Sequence, residues 1–264
     1  MDIIENQPPW LKQPPDGTKL YKIMRYQDFV NSMNDKYLYF HRVDQYHDID
    51  DSNQPILERE KNKKIHFERH PEENYKLIID RQRKRTYACC FSTKLTDYLW
   101  DTYSKNDPCA VCIEFNYTKM ANYMFKIFQY SRICYIAGNK EKSFSNHQDG
   151  VNIFNLNFGL VEYIDPITYF NNNSQNAILY SYLKSKNLYS EDNEFRITLC
   201  TQGIFKDIIL PNGVAFNFPY GIKLEFDFQL ANAENTIVRL HFRIPPDKEF
   251  LTHLEKLLGK IHIS

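Results

Sequence analysis

The chain has 264 residues, of which 42% are hydrophobic, 15% aromatic and 25% charged, so it carries material for a sizeable core and is neither fibrous nor low in complexity. Lys+Arg and Asp+Glu both total 33, and a net charge of zero excludes a whole-molecule pull toward nucleic acid or anionic membrane, leaving only local patches. No apolar run approaches the roughly 18 residues of a membrane span, and the N-terminus lacks a basic and then apolar signal pattern, so a soluble, cytoplasmic protein with no membrane partner is expected.

Residues 1–18 contain Pro8, Pro9, Pro14 and Pro15 and read as an extended N-terminal arm. The remainder, 19–264, reads as one α+β domain. Leu20 to Met24 suits a strand. Tyr26 to Met33 suits a short helix with Phe29, Val30 and Met33 on one face. Tyr37 to His41 is a second strand of β-prone residues. Val43 to Pro55 is an acidic loop containing Asp44, Asp48, Asp50 and Asp51.

A charged insertion at 58–85 holds ten Lys/Arg against six Asp/Glu, and Pro71 is expected to split it into two helical pieces. Its bland reading is a solvated excursion. The sharper one is a contact surface for an acidic partner, centred on Arg81, Arg83, Lys84 and Arg85.

Thr86 to Ser92 returns as a strand. Leu95, Tyr98, Leu99, Thr102 and Tyr103 follow helical spacing, and Cys109 to Phe115 is again a strand. Asn116 can cap a helix in which Met120, Tyr123, Met124, Ile127 and Phe128 share a face. Ser131 to Ala137 and Leu160 to Ile164 read as strands, with 138–150 a polar, mobile loop between them. Ser174 can cap a helix running to about Lys186.

Phe195, Ile197 and Leu199 alternate with Glu194, Arg196 and Thr198, so Glu194 and Arg196 share a strand face. Lys223 to Leu230 alternates as a strand, with Leu224, Phe226, Phe228 and Leu230 on one side. Thr236 to Ile244 is its candidate antiparallel neighbour. Asp247 to Leu258 is a last helix, stopped by Gly259. The sheet is expected to be mixed and mainly antiparallel, flanked by helices.

The six cysteines are expected to be reduced and mostly buried. Cys109-x-x-Cys112 has no second CxxC or HxxxH partner and reads as part of a core strand. His66, His70, His147, His253 and His262 lie in polar or terminal contexts, and His241 falls on the polar face of its strand. No glycine-rich phosphate loop, GxSxG elbow or HExxH helix occurs.

The order of Leu20-Tyr21-Lys22, Tyr37-Leu38-Tyr39-Phe40, Asp48, Cys90-Phe91-Ser92, Leu99-Trp100, Tyr103, Ile113-Glu114-Phe115 and Asp192-x-Glu194-x-Arg196 resembles a bacterial family designated domain of unknown function 2971. The resemblance spans roughly residues 20–200. Thr102 stands where that family's W-x-H-Y helix carries histidine, and His47-Asp48-Ile49 replaces its N-D-P. A broader likeness is to the layout of ADP-ribosyltransferases: a strand with an aromatic or basic residue, a helix, an aromatic strand and a late strand-borne Glu. That likeness implies NAD as a substrate and Glu194 as the catalytic carboxylate beside an oxocarbenium-like ribose. It implies Tyr21, Arg25, Tyr39, His41, Ser92, Trp100, Tyr103 and Arg196 as NAD-binding residues. The acceptor is left open between protein and nucleic acid, and the setting it implies is a bacterial toxin, effector or phage-defence protein.

Two other readings stay open. His47, Asp48, Asp50 and Asp51, with Glu114 at a strand end, offer ligands for a metal-dependent nuclease or phosphoesterase. The 58–85 insertion, flanked by Tyr75 and Tyr87, offers a non-catalytic nucleic-acid or protein-binding sensor surface.

Overall fold

Alternation of apolar and polar residues along the strands splits one large sheet into a dry face and a polar face. The computed structural model describes residues 7–46, 51–70, 75–137, 139–148, 150–169, 177–201, 218–259 and 262–263. In chain order the elements are β1 (Lys19–Met24), α1 (Tyr26–Asn34), β2 (Tyr37–Arg42), α2 (Ile56–Arg69), α3 (Tyr75–Lys84), β3 (Thr86–Ser92), α4 (Asp97–Tyr103), β4 (Val111–Asn116) and α5 (Tyr117–Phe128). There follow β5 (Arg132–Ala137), β6 (Lys140–Ser145), β7 (His147–Gln148), β8 (Val151–Asn152), β9 (Phe154–Leu160), β10 (Glu162–Ile164), α6 (Ala177–Tyr180), β11 (Leu183–Ser185) and α7 (Lys186–Tyr189). The chain closes with β12 (Glu194–Thr201), β13 (Gly221–Glu225), α8 (Phe228–Ala233), β14 (Ile237–Phe242) and α9 (Lys248–Leu258).

The protein is of the α+β single-domain class. Its ten-stranded sheet runs β14-β4-β1-β3-β2-β13-β5-β6, with β12 on β3 and β9 on β12, and its strand pairs are antiparallel. The described parallel pair of strands, β10 with β11, lies outside this sheet. β3 is the branch point. One of its edges pairs with β12 along its whole length. The other is shared: β2 pairs at Tyr87 and Ala88, and β1 pairs only at Ser92. Between these contacts the edge of β3 is open, and Lys22 Nζ reaches in to donate to the Cys90 carbonyl at 3.2 Å.

The dry face carries Leu20, Leu38, Phe40, Phe91, Ile113, Phe115, Phe195, Ile197 and Leu224. Helices α1, α5, α8 and α9 close over it with Phe29, Met33, Met120, Met124, Phe228, Ala231, Leu254 and Leu258. Each fully buried Leu or Phe contributes roughly 1.5–3 kcal/mol. Local chemistry sets the helix starts. Asn116 accepts from Lys119 N–H at α5, Thr96 from Leu99 at α4, and Asp247 from Phe250 at α9. Gly259 ends α9 at φ +74°, a conformation that favours glycine.

Several expectations are corrected. Residues 140–145 and 147–148, read as loop, are strands β6 and β7; the sequence Lys-Glu-Lys-Ser-Phe-Ser makes a polar edge strand without apolar alternation. The strand expected over Leu160 to Ile164 is the shorter β10, and the preceding β9 has no counterpart among the expected elements. The helix expected from Ser174 to Lys186 is replaced beyond Tyr180 by β11, while 170–176 lie outside the described residues. The strand expected over 223–230 stops at Glu225, because Asp227 caps α8 by accepting from Leu230 N–H; Leu230 is exposed. β13 and β14 are not neighbours. Cys109 is exposed and precedes β4. The 58–85 segment forms α2 and α3, with 71–74 outside the described residues.

Candidate functional site

The polar face is laid out by register. Glu114 on β4 stands opposite Tyr21 on β1, Tyr21 opposite Ser92 on β3, and Ser92 opposite Glu194 on β12. A cavity of about 150 Å³ opens on this row, lined by Tyr21, Lys22, Ile23, Cys90, Phe91, Ser92, Leu99, Tyr103, Asp192 and Glu194. Thus Tyr21, Ser92, Tyr103 and Glu194, expected at one site from sequence, meet in one pocket. Trp100 sits behind it, buried against Ala110 and Cys112 and packed on Tyr21 and Ile23.

Glu194 is not the surface ion pair that its strand position allows. Its Oε1 accepts from Arg196 Nε at 2.7 Å, and its Oε2 accepts from Lys184 Nζ and Arg196 Nη2, each at 3.1 Å. Arg196, 1% exposed, also makes a forked pair with Asp51 at 2.7 and 2.8 Å. It donates further to Ser52 Oγ and the Ser181 carbonyl. Lys184 donates to Asp192 Oδ2 at 2.6 Å. Three carboxylates and two cations from four segments therefore form one buried network. Burial alone would raise the Glu194 pKa, but Arg196 and Lys184 outweigh it and hold the group down at about 2. Burial alone would lower the Lys184 pKa, but Glu194 and Asp51 raise it and keep the amine charged.

A one-turn helix, Ser190–Asp192, and a left-handed Asn193 (φ 44°, ψ 48°) bring Asp192 and Glu194 to the same pocket. Asn tolerates this conformation because its short polar side chain can bond locally, here Nδ2 to the Glu191 carbonyl. Ser92 Oγ lies 2.6 Å from the Asp192 carbonyl and 2.8 Å from that of Lys94. Its hydroxyl therefore fixes the turn that carries Asp192. Tyr163 Oη accepts the Glu194 N–H at 2.8 Å. Burial first, then the neighbouring Asp192 and Glu194 charges, raise the Tyr103 hydroxyl pKa.

Arg25, Tyr39 and His41 do not reach the pocket. Arg25 is at the start of α1, paired with Asp28 at 2.8 Å in solvent. Tyr39 is 45% exposed and lies across Gly221 of the neighbouring strand. His41 stacks loosely between Tyr39 and Tyr46 at centroid distances of 6.2 and 5.8 Å. Tyr46 continues this aromatic line to Arg196, whose guanidinium carbon is 5.3 Å from its ring, and to the Cys90 thiol at 3.5 Å. Burial first, then the neighbouring Glu194 charge, push that thiol pKa up, which disfavours the thiolate form.

On the far side of Tyr21 lies a second cluster. Buried Glu114 binds Lys19 at 2.9 Å and His241 Nε2 at 2.7 Å, and His241 meets the Tyr21 ring edge-on at 5.9 Å. Burial raises the Glu114 pKa, and the hydrogen bonds from Lys19 and His241 more than reverse it.

Sequence reasoning offers Asp51 as a metal ligand and not as the partner of Arg196, and it misses Lys184 as a site residue. Lys184 falls in the helix expected up to Lys186, whereas the structure places it on β11. Asp51 has both oxygens bound by Arg196, and Arg83 of α3 donates to its backbone carbonyl at 3.1 Å. Arg83 is thus a tie within the molecule, whereas Arg81 and Lys84 are exposed. His47, Asp48 and Asp50 lie outside the described residues. Among the described residues, no three His, Cys, Asp or Glu side chains gather where they could hold a metal ion. No described helix is long and apolar enough to cross a membrane. Comparison with protein-family models, curated proteins and solved structures gives no match to this chain.

Proposed function

We propose that this chain is an ADP-ribosyltransferase-like enzyme that uses NAD, a divergent relative of the domain of unknown function 2971 family, acting in the bacterial cytoplasm as a toxin, effector or phage-defence protein. The observation that carries the reading is the register row Tyr21–Ser92–Glu194, which opens on a pocket with aromatic walls and two adjacent carboxylates. A 150 Å³ cavity takes one six-membered ring, by the measure of an engineered cavity of about that size that binds benzene. In this reading the nicotinamide ring enters between Tyr21 and Tyr103. The bond from its ring nitrogen to C1′ of the ribose breaks, nicotinamide leaves with the bonding electrons, and an acceptor nucleophile on protein or nucleic acid forms the new bond to C1′ and releases its proton to solvent. Positive charge builds on the ribose between these events. Glu194 is held ionised by its cations, so it serves as a fixed negative charge facing that centre and not as a proton donor.

The position of Asp51 favours this reading over metal-dependent hydrolysis, since Arg196 binds both of its oxygens. The test is NAD breakdown and label transfer by the purified protein. Glu194→Gln is expected to lower the rate about 100-fold, in the range seen when one preorganised electrostatic group is removed. A Glu194→Gln protein that consumes NAD at the wild-type rate, or a wild-type protein that leaves NAD intact with protein and nucleic-acid acceptors present, overturns the reading.

A further inference from the structure

The sheet curls far enough to enclose space on its dry face. Seven of its strands form the paired series β6-β5-β13-β2-β3-β12-β9, and the two ends of that series meet. Phe144 of β6 stacks on Phe154 of β9, with ring centroids 6.4 Å apart and 13° between the planes. Buried Asn146, just beyond β6, accepts the Phe154 N–H on its side-chain oxygen at 2.9 Å. Its carbonyl accepts the Ile153 N–H at 3.0 Å. These contacts close the curl in the manner of a barrel, with side chains in place of the last ladder.

Inside the curl lies a cavity of about 450 Å³. Its described lining comes from strands and their connections, with no described helix among them. The rings of Tyr87, Tyr135, Phe144, Phe154 and Phe218 wall it together with Ile153 and Ile222. Protein interiors are close-packed and hold few voids larger than a water molecule. An apolar cavity of this size in a barrel mouth falls within the range of small-molecule sites, about 300–1,000 Å³. It shares no described lining residue with the Tyr21 pocket, so the inference does not rest on the proposed function.

The rim sets the polar end of the ligand. Within the cavity the Tyr87 hydroxyl already donates to the Pro219 carbonyl at 3.1 Å. Lys142, Ser143 and Gln148 line the cavity and are exposed, so they stand at its mouth. Lys142 is the one charged group of the described lining, which contains no carboxylate. The adjacent Glu141 points to the other face of β6, where it lies 3.7 Å from Lys223. The volume sets the body. An engineered cavity of about 150 Å³ holds one benzene ring, so three times that space holds about 18 non-hydrogen atoms.

We infer that this cavity binds one amphipathic small molecule, with an apolar body of about a dozen carbons or more inside the curl and a carboxylate head at the rim against Lys142. The body supplies most of the affinity, because an ion pair with an exposed lysine is worth about fivefold at most.

The probes are straight-chain carboxylates from hexanoate to hexadecanoate, titrated into the full chain below their micelle concentrations and followed by calorimetry and methyl NMR. Affinity is expected to rise about fourfold per added CH₂ through dodecanoate and to level off by hexadecanoate, once the cavity is full. The methyl signals of Ile153 and Ile222 are expected to shift, and those of Ile23 in the Tyr21 pocket to stay in place. Dodecanoate is expected to bind about tenfold tighter than dodecylammonium, which sets a like charge against Lys142. Lys142→Glu, a change at an exposed position, is expected to reverse that order without lowering the melting temperature. No binding at millimolar concentration overturns the inference, as does an affinity that never levels off or that moves Ile23 and Ile222 alike. A head-group preference unmoved by Lys142→Glu overturns it as well. Binding that appears only when residues 202–217 are replaced by a glycine–serine linker of equal length would show that the chain itself fills the cavity, and likewise overturns it.

Discussion

At the scale of single residues, Arg196 decides whether the polar face is stable. It is the largest fully buried side chain among the described residues, and it faces Glu194 and Asp51 at hydrogen-bond distance. Removing one partner of a buried ion pair leaves uncompensated charge, at a cost of about 3–5 kcal/mol. Arg196→Met is therefore expected to lose about that much stability in urea unfolding at neutral pH. The pH profile gives the sign. The folded-state pKa of Glu194 is depressed from 4.5 to about 2, so its contribution is present above 4.5 and lost as pH falls toward 2. In the variant, burial without Arg196 favours the protonated acid. The deficit is expected to narrow over that same acid window, and a deficit constant with pH would show that Glu194 is not its source. The sequence makes part of this arrangement legible, because strict alternation in β12 puts Glu194 and Arg196 on one face. It does not disclose Asp51, which lies 145 residues away from Arg196 along the chain, since nothing in a local pattern marks such a partner.

At the scale of elements, legibility follows apolar periodicity. β1, α1, β2, β3, α4, β4, α5 and β12 have it, and their sequence assignments agree with the structure to within about two residues, the ordinary disagreement at element ends. β6 lacks it because every residue of that edge strand but Phe144 is polar, and the alternation that runs on past Glu225 is cut short by the Asp227 cap. The proline-containing arm is a further case. Leu11 is buried, Lys12 accepts the Leu160 N–H at 2.8 Å, and Gln13 Nε2 donates to the Phe158 carbonyl at 2.6 Å. Gln13 also accepts from the Tyr117 hydroxyl, joining the arm to α5. The arm thus covers the edge of β9 that does not face β12, and an uncovered edge is a template for pairing with another chain. Deleting residues 1–13 is expected to produce concentration-dependent self-association in sedimentation velocity, together with a lower melting temperature. A deletion variant that stays monomeric at high concentration would show that the arm does not protect this edge.

At the scale of the whole molecule, the sheet divides stability from function. The dry face is closed by α1, α5, α8 and α9 and holds the large apolar cluster. The polar face is covered by a different set of segments, tied down by charge more than by apolar contact. α2 buries only Glu58, which accepts the Tyr180 hydroxyl at 2.8 Å, and most of its other side chains face solvent. The excursion from Asp51 to Lys84 returns to the sheet through the forked Asp51–Arg196 pair and the Arg83 bond to the Asp51 carbonyl. A region with few apolar contacts opens at lower free energy than the core, so its opening is set by those polar ties. Asp51→Asn removes the charge from the tie while keeping its shape and leaves the dry face untouched. Amide hydrogen exchange is expected to accelerate at least tenfold in α2 and α3 and to stay unchanged in α5 and α9, which close over the dry face. Exchange that rises equally in both regions would mean the excursion and the core unfold as one unit. Exchange that rises in neither would mean that Glu58 and Tyr180, and not Asp51 and Arg196, hold the excursion against the rest of the molecule.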